Sequence, residues 1–257
     1  MADGLPQGYG VLVTRPADQA ADLVEAIETR GGRAYLFPAL EIRPRPARDV
    51  EAEAACLPAA DITIFVSRNA VTAGLRYAAG RIAAIGPATA AAIRDAGRQV
   101  DIVPGAGFDS EHLLAEPGFA DAGKLVIRIV RGQGGREHLA RELRARGARV
   151  DYLEVYERCL PVVPAAKMRR LESLLSHGEI DAVVVLSMET LANFSTLLSP
   201  AARAALAGTP LVSPAARVLK EAGGLFPQCP VHPATGPGAQ DIVDALAGLA
   251  DGAANES

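Results

Sequence analysis

An internal repeat limits the possible folds more than any other feature. The stretch "IVRGQGGREHLARELRARGARVDYLEVYER", residues 129 to 158, has a looser copy in "LVTRPADQAADLVEAIETRGGRAYLFPALE" near the start of the chain. Arg15 matches Arg131, and Arg30-Gly31 matches Arg146-Gly147, both at an offset of 116. Asp61 to Ser67 matches Asp181 to Ser187 at an offset of 120, and Gly86-Pro87 lies over Ser213-Pro214 at 127. Successive units recurring in one order point to an old duplication. Each unit reads as a strand followed by a helix. "YGVLVTR" precedes "ADQAADLVEAIETRGG", where Leu23, Val24 and Ile27 share a face and two glycines end the pattern; "DITIFVS", "RIAAIG", "KLVIRIVRG", "DAVVVLS" and "TPLVS" are likewise followed by helical patterns. The runs Ile62 to Val66 and Val183 to Leu186 are apolar almost throughout, as strands covered by helices on both faces tend to be. The expected class is α/β with doubly wound parallel sheets.

The repeat alone would divide the chain near residues 115 to 124. Proline-rich stretches at 37 to 46 and 157 to 164, each just after the second strand of a first-unit copy, argue for a different division. Proline cannot donate to a sheet ladder and stiffens extended chain, so it concentrates in linkers. If both stretches are crossovers, residues 45–155 form a continuous domain, and 1–38 with 163–257 form a discontinuous one. Residues 39–44 and 156–162 are then the linkers. The halves exchange their first units, and two slender linkers allow hinge motion.

The chain's 257 residues, 49% hydrophobic and 22% charged, suffice for two ordinary domains with real cores. A net charge of -4 supplies no field for nucleic acid, and no basic run suggests a membrane surface. The opening "MADGLPQGYG" lacks the pattern of a secretion signal, and no run approaches the ~18 apolar residues of a membrane span, so a cytoplasmic protein is expected. Cys56, Cys159 and Cys229 are far apart and read as small buried or half-buried hydrophobes. His112, His138, His177 and His232 are scattered, which disfavours metal chemistry and a Ser-His-Asp hydrolase.

"VLVTRPADQA", "FVSRNAV", "IGPATAAAI", "FDSEHLLA", "RGQGGREHLARELRARGARVDYLEVYER" and "DAVVVLS", in this order and spacing, resemble the uroporphyrinogen-III synthase family over nearly the whole chain. The resemblance implies two flavodoxin-like doubly wound parallel-sheet domains joined by a two-segment linker. It also implies a hydro-lyase of haem biosynthesis that needs no cofactor and acts as a monomer. Its substrate is hydroxymethylbilane, a linear tetrapyrrole, which it closes to uroporphyrinogen III with inversion of ring D and loss of water. Unaided closure gives the symmetric type I isomer. Loss of the hydroxymethyl oxygen makes an azafulvene that the substituted carbon of ring D attacks, through a spiro-pyrrolenine. Tyr156, in "LEVYER", matches a family tyrosine considered as proton donor to the departing hydroxyl, and a positioned phenol can serve as a general acid.

Ligands of doubly wound sheets sit beyond the carboxyl ends of the strands, where Arg15, Ser67, Gly86, Arg131, Ser187 and Ser213 fall. Arg68 and Asn69 follow Ser67, Ser110 opens the helix of "FDSEHLLA", and Met188 follows Ser187. Thr89 matches the family's threonine; the second copy has Ala215 and Ala216 there, which leaves Ser213 as the nearby hydroxyl. "RGQGGR" has Glu137 where a dinucleotide loop needs its third glycine, so a tight turn presenting the amides of Gly134, Gly135 and Arg136 to an anion is preferred over a nucleotide cradle. Arg141, Arg144, Arg146 and Arg149 read as a solvated helix face, with Glu137 pairing Arg141 and Glu142 pairing Arg146. Two other readings stay open: a two-lobed module that senses a tetrapyrrole or other anion without turnover, and a flavin- or nucleotide-dependent enzyme. The lack of phosphate-loop signatures and of tryptophan counts against the second.

Overall fold

The computed structural model describes residues 4–107, 109–135 and 137–255, with backbone alone over the last three. In chain order the strands and helices begin β1 (Gly10–Val13), α1 (Ala21–Thr29), β2 (Arg33–Leu36), β3 (Glu41–Pro44), α2 (Ala47–Cys56), β4 (Ile62–Phe65), α3 (Arg68–Gly74), β5 (Arg81–Ala84), α4 (Pro87–Asp95) and α5 (Ser110–Ala115). They continue β6 (Val126–Gly132), α6 (His138–Ala145), β7 (Arg149–Cys159), α7 (Ala165–Ser176), β8 (Ala182–Val184), α8 (Met188–Leu197), α9 (Pro200–Ala205), β9 (Leu211–Ser213), α10 (Ala216–Leu225), β10 (Val231–Pro233) and α11 (Ala239–Asn255).

The chain forms two compact units, one of residues up to 41 with 159 onward, the other Ile42–Arg158. The first unit's sheet runs β10-β9-β8-β1-β2, with parallel pairing throughout. Numbered within the unit, that is the 2-1-3-4-5 order of flavodoxin-like folds. The second sheet runs β3-β7-β6-β4-β5, with Ile102 bridged in parallel to Ala83 beyond β5. From β7 to Ile102 it repeats the first order, but β6 and β7, its first strand pair, come late in the chain. The chain thus builds one type of sheet twice from interleaved segments. Residues 41–44, assigned from the sequence to a linker, are strand β3 beside β7, which itself runs on through Cys159.

Alternation along the strands explains the two-sided core. Leu12, Val183 and Val185 enter the cluster on one face of the first sheet, whereas Val11, Val13, Ala182 and Val184 enter the cluster on the other. In the second sheet Ile62, Ile64, Ile127 and Ile129 face one way, and Phe65, Val130, Leu153 and Val155 the other. Thr63, the polar interruption of an apolar strand, is fully buried but satisfied: its hydroxyl donates to the Ala79 carbonyl at 2.7 Å and accepts the Ala79 N–H at 3.0 Å.

The repeat survives to the level of helix ends. Leu23 and Ile27 bury the face of α1, as Leu139 and Leu143 bury that of α6. Gly31 and Gly147 then adopt φ of 93° and 89°, the left-handed position that ends a helix. In both cases the following amide reaches back over the last turn, Gly32 to Ile27 at 3.0 Å and Ala148 to Leu143 at 3.1 Å. Among the described residues no helix is long and apolar enough to cross a membrane, and no group of three or more His, Cys, Asp or Glu could hold a metal. Cys56 departs from its expected burial: it ends α2, a helix that buries only Val50, and lies exposed.

Candidate functional site

A cavity of about 440 Å³ opens at the carboxyl ends of the strands of the second unit. Of the residues expected to bind or act, Ser67, Ser110, Arg131, Gly134, Gly135 and Tyr156 line it. Gly132, Tyr152, Asp109 and Arg158, which the sequence did not single out, line it too.

Tyr156 is brought there by an irregularity in pairing. Along β6 and β7 the register runs evenly to Arg131 opposite Glu154, then shifts so that Gly132 faces Tyr156. The extra residue is the signature of a bulge, which re-aims the side chain that follows. Tyr156 is consequently 4% exposed, packed with Val130, Leu153 and Val155, while still reaching the cavity. Its Oη lies 3.2 Å from Ser67 Oγ. Ser67 caps α3 by accepting the Ala70 N–H at 3.1 Å.

Gly132 is required by the close approach of that ring. A Cβ added there would lie 2.4 Å from Tyr156 Cε2 and 2.6 Å from Cζ. Gly132→Ala is therefore expected to displace the phenol and to cost about 1–3 kcal/mol of stability through overpacking. Denaturant midpoints measured beside turnover check this, and a variant that kept both would show that the ring yields freely.

Arg131, expected as a substrate contact, is caged. It is 8% exposed; its Nη1 donates to Glu137 at 2.9 Å, and its Nε and Nη2 donate to Glu154 at 3.3 and 3.1 Å. Its guanidinium carbon lies 3.7 Å over the Tyr152 ring. Burial alone would lower its pKa, but hydrogen bonds and charge from Glu137, Tyr152 and Glu154 outweigh that and raise it. Tyr152 donates to the second oxygen of Glu137 at 2.5 Å. That hydrogen bond first, and then Arg131, hold the Glu137 carboxyl below its usual range. Burial, then the bond to Glu137, push the Tyr152 phenol up. The Gly134 amide, expected from the sequence to meet an anion, donates instead to the protein's own Glu154 carboxylate at 3.1 Å. Arg136 lies outside the described residues.

Glu137 thus takes Arg131 and Tyr152 rather than the expected Arg141. Arg141, Arg144, Arg146 and Arg149 are exposed, as a solvated face requires, and Arg144 and Arg146 also reach the carbonyls of Val150 at 2.8 Å and Leu114 at 2.6 Å. At α5 the capping side chain is Asp109, whose Oδ1 accepts from the Glu111 and His112 amides at 3.0 Å each; Ser110 is the first helical residue.

The other candidates lie elsewhere. Arg68 is exposed and Asn69 half-buried at the start of α3, Gly86 caps α4, and Thr89 is 5% exposed within α4; none of them lines the cavity. Arg15, Ser187, Met188 and Ser213 belong to the first unit. Arg15 is half-buried just past β1, and Met188 opens α8. Ser187 caps α8 through the Thr190 amide at 3.1 Å, while Ser213, 1% exposed, accepts the Ala215 amide at 3.3 Å. Glu189 is exposed in the first turn of α8, where a negative charge suits the positive end of the helix.

The copies show which residues are particular to the cavity. At the offset of 116, Tyr152, Glu154 and Tyr156 fall on Leu36, Pro38 and Leu40. The pairing agrees with that match, Ile129 facing Tyr152 as Val13 faces Leu36. Only the later copy carries the tyrosines and the glutamate. This contrast was the signal that could have exposed Tyr152 and Glu154 in the sequence.

The family model described as "Uroporphyrinogen-III synthase HemD" matches residues 21–229. The Escherichia coli uroporphyrinogen-III synthase is 33% identical over 164 residues, which span 58% of this chain and 65% of that protein. The crystal structure of uroporphyrinogen-III synthetase from Helicobacter pylori matches with a TM-score of 0.60 at 14% identity, covering 94% of this chain and 99% of the other. A mutant uroporphyrinogen III synthase from Thermus thermophilus matches at 0.55 and 21% identity, covering 97% and 100%. At such identities the structural likeness speaks for the fold alone. The family match, covering most of the sequence, carries the conclusion that the chain belongs to the uroporphyrinogen-III synthase family, cyclising lyases of haem biosynthesis.

Proposed function

We propose that the chain converts hydroxymethylbilane to uroporphyrinogen III, and that Tyr156 in the second unit's cavity donates the proton that lets the hydroxyl leave. The observation that carries this reading is a single phenol: in a chain of this family, the tyrosine singled out by resemblance is buried in the wall of a cavity at strand carboxyl ends. The bond between the methylene carbon and the hydroxyl oxygen breaks, and its electron pair leaves with the oxygen. The phenol proton completes the water, and the pyrrole nitrogen supplies the electrons that make the azafulvene. The proton lost when the new ring rearomatises returns to the phenolate, so the reaction balances without a cofactor.

The cavity suits the reacting end of the bilane rather than the whole of it, and holding that end within reach of the substituted carbon of ring D is the larger part of the task. Arg131 and the Gly134 amide are engaged by Glu154, and the Glu111 and His112 amides at the start of α5 by Asp109, so the Gly135 amide and the Ser110 hydroxyl in the cavity wall are taken as contacts for a substrate carboxylate. The protein is taken to act as a cytoplasmic monomer. The alternative of a sensor without turnover has no observation in its favour.

The test is to mix the protein with freshly prepared hydroxymethylbilane and separate the isomers formed. The type III isomer is expected to dominate in proportion to enzyme. Only the symmetric isomer, at the unaided rate, would overturn the assignment.

A further inference from the structure

A serine hydroxyl has one proton and two lone pairs. At Ser67 one lone pair is committed to the Ala70 N–H at 3.1 Å, and the Tyr156 Oη stands 3.2 Å away. That leaves two arrangements. If the phenol donates to Ser67, its proton points away from the substrate. If Ser67 donates to the phenol, the tyrosine's own proton turns into the cavity. We propose that the second arrangement is the working one, and that Ser67 is a positioning residue that aims the Tyr156 proton and holds the phenolate left behind. The inference rests on the reading of Tyr156 as proton donor.

Three further features agree. Accepting the helix amide polarises the Ser67 O–H and makes it a better donor. The ring it addresses is held in place by Gly132, which packs too closely to admit even a Cβ, and the bulge sets the strand register that brings glycine and ring together. The duplicate serves as a control. Ser187, at the offset of 120, also caps a helix, accepting the Thr190 amide at 3.1 Å, but its second partner is the Thr190 hydroxyl at 2.8 Å, and Leu40 stands where Tyr156 would. Both partners of Ser187 thus lie on the helix it caps, whereas Ser67 has a partner on another element, the strand β7.

Three substitutions separate the cap from the aim. Ser67→Ala removes both, Ser67→Asp keeps a capping acceptor but has no proton to donate, and Ser67→Thr keeps both. Single-turnover ring closure is expected to slow about ten-fold or more in Ser67→Ala and Ser67→Asp, and Ser67→Thr is expected to recover most of the rate. KM should stay within about two-fold, because the lost interaction serves the transition state. Thermal melts confirm that each variant is folded, and Ser67→Asp carries the test if the alanine variant is not. In a Tyr156→Phe background, Ser67→Ala should add nothing. A Ser67→Asp enzyme at full rate, or an undiminished effect of Ser67→Ala without the phenol, would overturn the role of Ser67 and leave Tyr156 standing. A Tyr156→Phe enzyme that closes the ring at the normal rate would overturn both.

Discussion

Tyr156→Phe is expected to slow single-turnover cyclisation about 100-fold, the lower end of what a positioned general acid contributes. The lower end applies because the bilane also closes without help, so the leaving hydroxyl can draw on water for its proton. Affinity should change little. Phenylalanine keeps the ring that packs between Gly132 and the core residues Val130 and Val155, and loses only the oxygen near Ser67. As the catalysed rate falls, unaided closure of free substrate takes a growing share, and the symmetric isomer should rise with it. Quenched-flow mixing of excess enzyme with the bilane reads the rate, and isomer separation after mixing with the bilane in excess reads the share of unaided closure. A rate and isomer ratio equal to those of the native enzyme would leave Tyr156 with a packing role only.

The architecture was legible because it repeats. Period-two and period-3.6 patterns mark the strands and helices, and offsets that recur at Arg15 and Arg131 carry over to Gly31 and Gly147 at the helix ends. Local chemistry fixes those features, so a local pattern reveals them. The site was less legible for three physical reasons. A bulge in a parallel pair leaves no mark in composition, so nothing in "LEVYER" told that Tyr156 would face Gly132. Pro44 reads as linker, yet it closes a strand beside β7, a position at the sheet edge where a missing donor costs little. Charge pairing inside the cavity crosses from loop to strand: Glu137 sits four residues before Arg141, which favours a helix pair, but Arg131 is the buried cation in greater need of a carboxylate. Burial decided between two partners that spacing alone could not rank.

Arg131→Met should cost the second unit about 2 kcal/mol of stability. Removing one member of a fully buried ion pair costs about 3–5 kcal/mol, because it strands the other charge away from water. Here the Arg131 side chain is 10% exposed, but the side chains of Glu137 and Glu154 keep 57% and 24% exposure, and water can take over part of their solvation. Arg131→Lys should recover only part of the loss. One ammonium cannot reproduce a fork whose Nη1 reaches Glu137 while Nε and Nη2 reach Glu154, nor stack flat on Tyr152. The cage also predicts a pH dependence with a definite sign. The folded pKa of Glu137 lies below its unfolded value, so its contribution is complete above about pH 4.3 and fades as pH falls through the lower folded value. The gap in denaturant midpoint between native protein and Arg131→Met should therefore be widest near neutrality and narrow below about pH 4.3 as Glu137 takes up its proton. A gap that did not change across that range would mean that the arginine stabilises the unit by packing on Tyr152 and not by charge.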